Sequence, residues 1–285
     1  MRLIFPMILG FLTVKVSLPM LAKLLCKQGI MKENYRREPI PAAVGLVFPL
    51  TLPLLFLVQL GLELFTRPAP AIDRGAFFAF LFLTTGFGLL GLADDLLKSD
   101  AAKGFRQHLR ALYEGELTSG GLKAVFGFGF SLVFGIGVWL TTGGSWLIVF
   151  PSVLLAALAP NIVNLFDLRP GRAGKVFLAA LVLLMVKSYL NKGLNPTLFL
   201  GAPVLGGVAA YLPHDLKGRA MLGDTGANFL GGTLGGLVVL DGDPVFTGLT
   251  LVFFIFLQLL AEKVSFTKII EKNSILKFLD EMGRD

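Results

Sequence analysis

Long apolar stretches recur along nearly the whole chain, and short polar connections separate them. A helix needs about 20 mostly apolar residues to cross the hydrocarbon core of a bilayer. Nine stretches meet this requirement, with boundaries good to about 2–4 residues. The pattern therefore predicts an all-α, polytopic membrane bundle of about nine transmembrane helices. The predicted spans are residues 3–25, 42–63, 75–93, 124–142, 145–165, 174–190, 196–213, 226–240 and 244–262.

The composition excludes an ordinary soluble protein. Hydrophobic residues make up 54% of the chain, with 26 Phe, and charged residues only 16%, far from the average of soluble domains. The spans leave no room for a separate water-soluble domain. We therefore predict a bundle over residues 1–262 and an amphipathic, basic cytoplasmic tail over 263–285. Because Lys15 interrupts the first apolar run, that run is interpreted as a retained helix and not as a signal peptide.

The distribution of Lys and Arg predicts the orientation. These residues are concentrated in the connections after the first, third, fifth and seventh spans and in the tail. The other connections hold only Arg67, Arg74, Lys187 and Lys192. Since positive residues stay on the cytoplasmic side, we expect the N-terminus outside and the C-terminus in the cytoplasm. The net charge of +7 is thereby assigned to contact with membrane lipid, and no nucleic-acid partner is predicted.

Glycines repeat at four-residue spacing in the eighth span, at Gly231 and Gly235 and again at Gly232 and Gly236. Small residues at this spacing let helix backbones approach closely within a membrane. The pattern predicts a packing role for this helix.

Three polar groups lie where an apolar span meets a predicted cytoplasmic connection. Ionisable groups at this depth are costly and are functional candidates by default. They come from different hairpins but from one side, so a bundle can bring them to one site. The alternative is that Asp94 and Asp95 only cap or solvate a helix end. The groups are Gly91-Leu-Ala-Asp94-Asp95-Leu-Leu-Lys98, Asn161-Ile-Val-Asn164-Leu-Phe-Asp167 and Leu222-Gly-Asp224-Thr-Gly-Ala-Asn228.

The adjacent carboxylates of Asp94 and Asp95 favour a metal ion. Their mutual repulsion is poorly screened near a low-dielectric boundary, and a divalent cation removes it. Oxygen ligands suit Mg²⁺, which typically binds one or two carboxylates together with substrate phosphates and water; Mn²⁺ is the alternative for the same ligands. Lys98 is then interpreted as a partner for phosphate.

Other motifs do not support a different chemistry. The run Gly171-Arg-Ala-Gly174-Lys175 lacks the first Gly and the final Ser or Thr of a phosphate loop. His108 and His214 are too far apart for a helical metal pair and are interpreted as loop residues that form hydrogen bonds. The single Cys26 excludes an internal disulfide.

Taken in order, the motifs resemble the polyprenyl-phosphate N-acetylhexosamine-1-phosphate transferase superfamily, which includes phospho-N-acetylmuramoyl-pentapeptide transferase. The resemblance runs from about Lys32 to Asn228. Each motif alone is weak, but their order, spacing and sidedness together are specific. The motifs are Pro39-Ile-Pro41, Asp94-Asp95-Leu-Leu-Lys98 followed by Lys103-Gly104, Asn161-x-x-Asn164-Leu-x-Asp167, and Gly223-Asp224-Thr-Gly226.

The resemblance implies Mg²⁺-dependent transfer of a sugar-1-phosphate from a UDP-sugar to polyprenyl (undecaprenyl) phosphate, for cell-envelope glycan synthesis. It places the reaction at the cytoplasmic face of a bacterial cytoplasmic membrane. Asp94, Asp95 and Asp224 would hold the metal and act as the catalytic residues. A homodimer of the family type has no direct signal in the sequence. The implied substrate-binding residues are Lys98 and Lys103 for phosphate, and Asn161, Asn164 and Asp167 for the nucleotide.

The chain departs from the family pattern at three places. The third motif reads Asp167-Leu-Arg-Pro-Gly171, where family members carry a second aspartate. The segment Glu262–Asn273 contains no His, where the family has a His-rich loop. An amphipathic tail stands in place of the usual tenth span, either on the membrane surface or over the bundle. These departures keep a second hypothesis open: an inactive paralogue that binds polyprenyl lipid or a partner enzyme. A transporter is disfavoured, because the spans lack paired charges and symmetric helix breaks.

Overall fold

The computed structural model describes residues 3–66, 73–97 and 118–284, and within these ranges it contains nine long helices. Eight of them are long and apolar enough to cross a membrane. The predicted all-α polytopic bundle is therefore confirmed. The helices are α1 Ile4–Lys27, α2 Val47–Thr66, α3 Arg74–Leu96, α4 Ser119–Thr142, α5 Val149–Phe166, α6 Arg172–Lys192, α7 Pro196–Leu216, α8 Gly223–Leu240 and α9 Pro244–Lys263.

Helix α8 is the long helix outside the group of eight, and it forms the centre of the bundle. Nearly all of its residues are buried, because its glycines let neighbouring helices approach. A Cβ atom on Gly231 would lie 2.3 Å from the Cα atom of Pro160 in α5. On another face, a Cβ atom on Gly232 would lie 2.8 Å from the Phe87 ring in α3. The predicted packing role of the glycine repeat is confirmed.

The outer helices present apolar side chains outward, as a lipid environment requires. Leu183 and Leu190 in α6 and Val245 in α9 are each at least 70% exposed. In the core, the ring of Phe48 packs edge-on against Tyr211, with 5.3 Å between ring centroids. The bundle thus buries a core around α8 and exposes an apolar belt.

A short antiparallel hairpin connects α1 to α2 and is the small exception to the all-α prediction. Its strands are β1 Met31–Glu33 and β2 Pro39–Pro41, and Met31 pairs with Pro41. Backbone hydrogen bonds tie the segment after β2 to the loop before α8. They run from the N–H of Val44 to the C=O of Met221 (2.9 Å), from Gly45 to Leu222 (3.0 Å) and from Met221 to Pro41 (3.2 Å).

The tail folds back onto the bundle through two short helices, α10 Phe266–Lys272 and α11 Ser274–Glu281. The ring of Phe266 stacks on Phe166 at the end of α5, with 5.2 Å between centroids. The buried guanidinium of Arg172 donates to both carboxylate oxygens of Asp280, at 2.7 and 2.9 Å. The tail therefore packs over the α5–α6 connection, while Ile275 and Phe278 remain exposed.

Candidate functional site

Four helices meet at the end of the bundle that the loop charges predict to be cytoplasmic. Asp94 lies in the last turn of α3, Lys123 in the first two turns of α4, and Asp224 at the start of α8. The Lys123 ammonium lies 2.5 Å from Oδ2 of Asp94 and 2.8 Å from Oδ1 of Asp224. The side-chain amide of Asn164, near the end of α5, donates to the same Asp224 oxygen at 2.8 Å. One cation thus joins two of the predicted carboxylates.

Asp95 points to a different partner. Its Oδ1 accepts the backbone N–H of Asp224 at 3.2 Å, and its Oδ2 accepts the N–H and the hydroxyl of Thr225 at 2.9 and 2.7 Å. These N–H groups belong to the first turn of α8, where no intrahelical acceptor exists. Asp95 therefore caps α8 from a neighbouring helix. The sequence alone left open whether Asp95 only caps a helix end. Asp95 does cap a helix, but that helix is α8 and not α3, to which Asp95 belongs.

Close approach of α3 to α8 makes this contact geometrically feasible. A Cβ atom on Gly91 would lie 2.2 Å from the carbonyl oxygen of Asp224. Gly223 has a positive φ of 71°, and a Cβ there would lie 2.8 Å from Oδ2 of Asp95. The two glycines let Asp95 reach the start of α8.

The polar groups line a cavity of about 460 Å³, hereafter the site cavity. Its walls come from the β1–β2 hairpin, the end of α5, the α5–α6 connection and the α7–α8 loop. Lys32 of β1 enters it, with its ammonium 4.0 Å from Oδ1 of Asp95. The lining side chains that can ionise or donate include Lys32, Asp95, Asn164, Asp167, Asp215 and Asp224.

Asp167 follows α5 directly and has an unusual protonation equilibrium. Burial raises the pKa of this carboxyl to about 8, and the nearby charges of Asp215, Asp224 and Asp95 act in the same direction. A hydrogen bond from the Gly223 backbone opposes them. These effects favour the protonated form of Asp167, which can donate a hydrogen bond.

The remaining predicted residues are distributed differently. Asn161 is exposed and donates to Oε1 of Gln258 in α9 at 2.6 Å, so the structure does not bring it to the site cavity. Lys98, Lys103 and His108 lie outside the described residues. His214 lies in the last turn of α7, so its interpretation as a loop residue was wrong.

Sequence reasoning did not single out Lys123, Lys32 or Asp215 as site residues. Lys123 is the one charged residue within Ser119–Thr142, and it lies near the cytoplasmic end of that helix. Such a charge at a membrane boundary is a recognisable signal. Asp215 has no comparable local signal.

The residues present fit a divalent cation that takes part of its coordination from a substrate. Asp94 and Asp224 converge on one cationic group, and their oxygen donors suit Mg²⁺. Among the described residues, no group of three or more His, Cys, Asp and Glu side chains is arranged to hold a metal by itself. Asp95 directs its oxygens to the α8 backbone instead. The arrangement suits Mg²⁺ bound by two carboxylates with water and phosphate.

A known protein family matches more than half of the chain. The model of glycosyl transferase family 4 matches residues 77–241, which is more than half of the chain and includes Asp94, Asp95, Lys123, Asn164 and Asp224. The chain belongs to glycosyl transferase family 4. As a member of this family, it is a transferase-family protein with several membrane-spanning helices.

Three bacterial relatives of this family member are each named phospho-N-acetylmuramoyl-pentapeptide-transferase. The protein from Acetivibrio thermocellus is 27% identical over 255 residues, covering 85% of this chain and 71% of the relative. The protein from Caldicellulosiruptor bescii is 26% identical over 264 residues, covering 85% and 75%. The protein from Symbiobacterium thermophilum is 29% identical over 169 residues, covering 56% and 50%. The likeness is thus modest in identity but extends over most of the chain.

Proposed function

We propose that this protein transfers a sugar-1-phosphate from a UDP-sugar to polyprenyl phosphate, with Mg²⁺, at the cytoplasmic face of a bacterial membrane. The observation that carries the proposal is the convergence of Asp94 and Asp224 on one cationic group beside the site cavity. Membership of glycosyl transferase family 4 and the names of the relatives support the same reaction class. The product would be a lipid-linked sugar for cell-envelope glycan synthesis.

In the proposed reaction, a phosphate oxygen of the lipid attacks the β-phosphorus of the UDP-sugar. The bond between that phosphorus and the bridging oxygen breaks, and UMP leaves. Mg²⁺ bound by Asp94 and Asp224 would neutralise charge on the pyrophosphate. Because a phosphate monoester is already an anion near neutral pH, the chemistry depends on positioning and charge neutralisation more than on a strong base.

The protein side chains have separable roles in this scheme. Lys123 supplies an ammonium that contacts phosphate oxygens once the carboxylates hold the metal. Asn164 orients the Asp224 carboxylate through its hydrogen bond. Asp95 positions α8, and with it Asp224, through the backbone. Asp167, whose raised pKa favours the protonated form, would donate to a nucleotide oxygen.

Release of UMP tests this proposal. The full chain in lipid nanodiscs would be incubated with undecaprenyl phosphate, Mg²⁺ and a panel of UDP-sugars. We expect Mg²⁺-dependent UMP release with at least one donor, and a reduction of roughly 100-fold or more for Asp224→Asn. Asp73→Asn is the matched control, because Asp73 caps α3 at the opposite end of the bundle and Asn caps equally well.

A binding paralogue without catalysis is the second candidate. The segment Glu262–Asn273 contains no His, in contrast to the family pattern, and this favours it. Binding of Mg²⁺ and UMP without turnover of any donor would support this candidate and overturn the enzyme proposal.

A further inference from the structure

The connection between α5 and α6 is shared between the site cavity and the tail. Three of its residues line the cavity and are hereafter called the cavity wall: Leu168, Arg169 and Pro170. They follow directly after Asp167, which lines the same cavity. The guanidinium of Arg284, in the tail, donates from Nε and Nη2 to the carbonyl oxygen of Pro170, at 3.2 and 3.1 Å. The tail therefore contacts a segment that encloses the proposed donor site.

A second contact between the tail and the cavity wall is weaker. Nη2 of Arg169 lies 3.6 Å from Oε1 of Glu271 in α10, but both side chains are about half exposed, and such pairs contribute little. The Pro170 carbonyl instead receives two hydrogen bonds from a charged side chain that is only 15% exposed. No other hydrogen bond reaches this oxygen within the described ranges. Arg284 is therefore the main support that the tail gives to the wall.

Two cations of α6 hold the tail firmly enough for it to act as a support. Arg172 binds the Asp280 carboxylate through two hydrogen bonds. The Lys175 ammonium donates to carbonyls at the C-terminal end of α11, where intrahelical donors are missing and a positive charge is favourable. Its acceptors are the C=O groups of Leu279 (2.8 Å), Asp280 (2.5 Å) and Met282 (3.2 Å).

The turn after α11 directs Arg284 toward Pro170. Gly283 has a positive φ of 78°, a conformation that glycine adopts without steric cost, so the backbone can turn at this position. Nη2 of Arg284 also lies 3.2 Å from Oδ1 of Asp280, the carboxylate that Arg172 binds. The docked α11 thus orients the guanidinium toward the cavity wall.

We propose that Arg284 is a positioning residue for the sugar-nucleotide donor and holds the cavity wall in the conformation that binds this donor. This inference rests on the proposed function. When a site is correctly arranged in only a fraction of the molecules, the apparent affinity for its ligand falls by that fraction. Arg284 acts on the wall and not on the proposed metal ligands Asp94 and Asp224. Its loss therefore weakens donor binding and leaves the reaction of the bound donor intact.

Binding of UMP to the full chain in nanodiscs with Mg²⁺ tests this role without requiring turnover. A hydrogen bond from a charged group changes an equilibrium constant by roughly 10-fold or more, so Arg284→Gln should weaken UMP binding about 10-fold. Arg284→Lys keeps a charged donor and should recover part of the affinity. Arg74→Gln is the matched control, because Arg74 is exposed at the start of α3, at the opposite end of the bundle. It should bind UMP like wild type.

Steady-state kinetics separate positioning from a general loss of structure. With a UDP-sugar that wild type turns over, Arg284→Gln should raise the donor KM about 10-fold. The kcat and the KM for undecaprenyl phosphate should not change. The melting temperature should stay close to that of wild type, because Arg172 and Lys175 still hold α11. Asp280→Asn removes the carboxylate that anchors the tail and should raise the donor KM as well.

Three outcomes would overturn the proposal. Equal UMP affinity in Arg284→Gln and wild type would exclude an effect of the tail on the cavity wall, while the proposed function would stand. A lower kcat and melting temperature with an unchanged donor KM would show a structural role only. Failure of wild-type protein to bind any uridine nucleotide would count against the proposed function itself, and the positioning role would fail with it.

Discussion

The carboxylate of Asp95 caps the helix that begins beside Thr225. Its Oδ2 accepts both the backbone N–H of Thr225, at 2.9 Å, and the Thr225 hydroxyl, at 2.7 Å. Asp95 is almost fully enclosed, with 3% of its side chain exposed. Because Asp224 precedes Thr225 directly, this contact connects α3 with the position of a proposed metal ligand.

We expect Thr225→Val to lower both stability and activity. The substitution keeps the shape of the side chain but removes one donor to a buried carboxylate, which costs about 1 kcal/mol. A lower melting temperature in detergent and a several-fold slower UMP release would show this. Thr225→Ser retains the hydroxyl and should behave like wild type in both assays. Equal behaviour of the Val and Ser variants would mean that the hydroxyl contact is unimportant.

Gly91→Ala should disrupt the site from a distance. The added methyl group would lie 2.2 Å from the Asp224 carbonyl oxygen, so α3 and α8 must separate. Overpacking of this kind costs about 1–3 kcal/mol, and UMP release should fall at least 10-fold. Gly129→Ala in α4 is the control, because nothing lies within 4 Å of its added Cβ. If the two variants had the same melting temperature and activity, the close approach would not position the site.

The spans could be predicted from sequence because a bilayer dictates the length of each apolar run. Even α8, which is not among the eight helices that are long and apolar enough to cross a membrane, is predicted by its apolar stretch and glycine spacing. The convergence of Asp94, Asn164 and Asp224 followed from their shared side of the membrane. These features depend on local sequence and on the position of the membrane surface.

The contacts of individual side chains could not be predicted in the same way. Lys123 reaches Asp224 across 101 positions in sequence, and Asp95 turns to α8 because Gly91 permits the approach. Asn161 has the same local pattern as Asn164, yet its position one turn deeper places it against Gln258. Such contacts depend on how helices rotate and pack, which periodicity alone does not determine.

Lys123→Met should make the protein more dependent on Mg²⁺. Without the ammonium, Asp94 and Asp224 repel one another, so the metal-free melting temperature should fall. Added Mg²⁺ no longer competes with a bound lysine, so the Mg²⁺-induced rise in melting temperature should exceed that of wild type. UMP release should fall roughly 100-fold.

Lys187→Met provides the matched control for this comparison. Lys187 bridges Asp241 and Asp243 at the opposite end of the bundle. Its loss should lower the melting temperature without changing the Mg²⁺ response. An unchanged Mg²⁺ response in Lys123→Met would argue against a metal at Asp94 and Asp224.

Asp280→Asn should release the tail from the bundle. The substitution leaves the Arg172 guanidinium, whose side chain is 4% exposed, without its bidentate carboxylate. Breaking one side of a buried ion pair costs about 3 kcal/mol, equivalent to roughly 100-fold faster hydrogen exchange across α11. Glu281→Gln removes an exposed carboxylate 3.9 Å from Lys277 and should change the exchange little.

Acidification should have the same effect on the wild-type tail. Burial acts to raise the pKa of Asp280, but hydrogen bonds and charge from Arg172 and Arg284 outweigh it and hold the pKa below its usual value. Because docking lowers the pKa of Asp280, the ionised carboxylate stabilises the docked tail at any pH above the pKa of the undocked carboxyl, which is about 4. This stabilisation is lost as the pH falls through the lower pKa of the docked carboxyl. Exchange across α11, corrected for intrinsic rates, should therefore accelerate below about pH 4 in wild type. Asp280→Asn should lack this transition, and the same acid-induced release in both proteins would show that another group holds the tail.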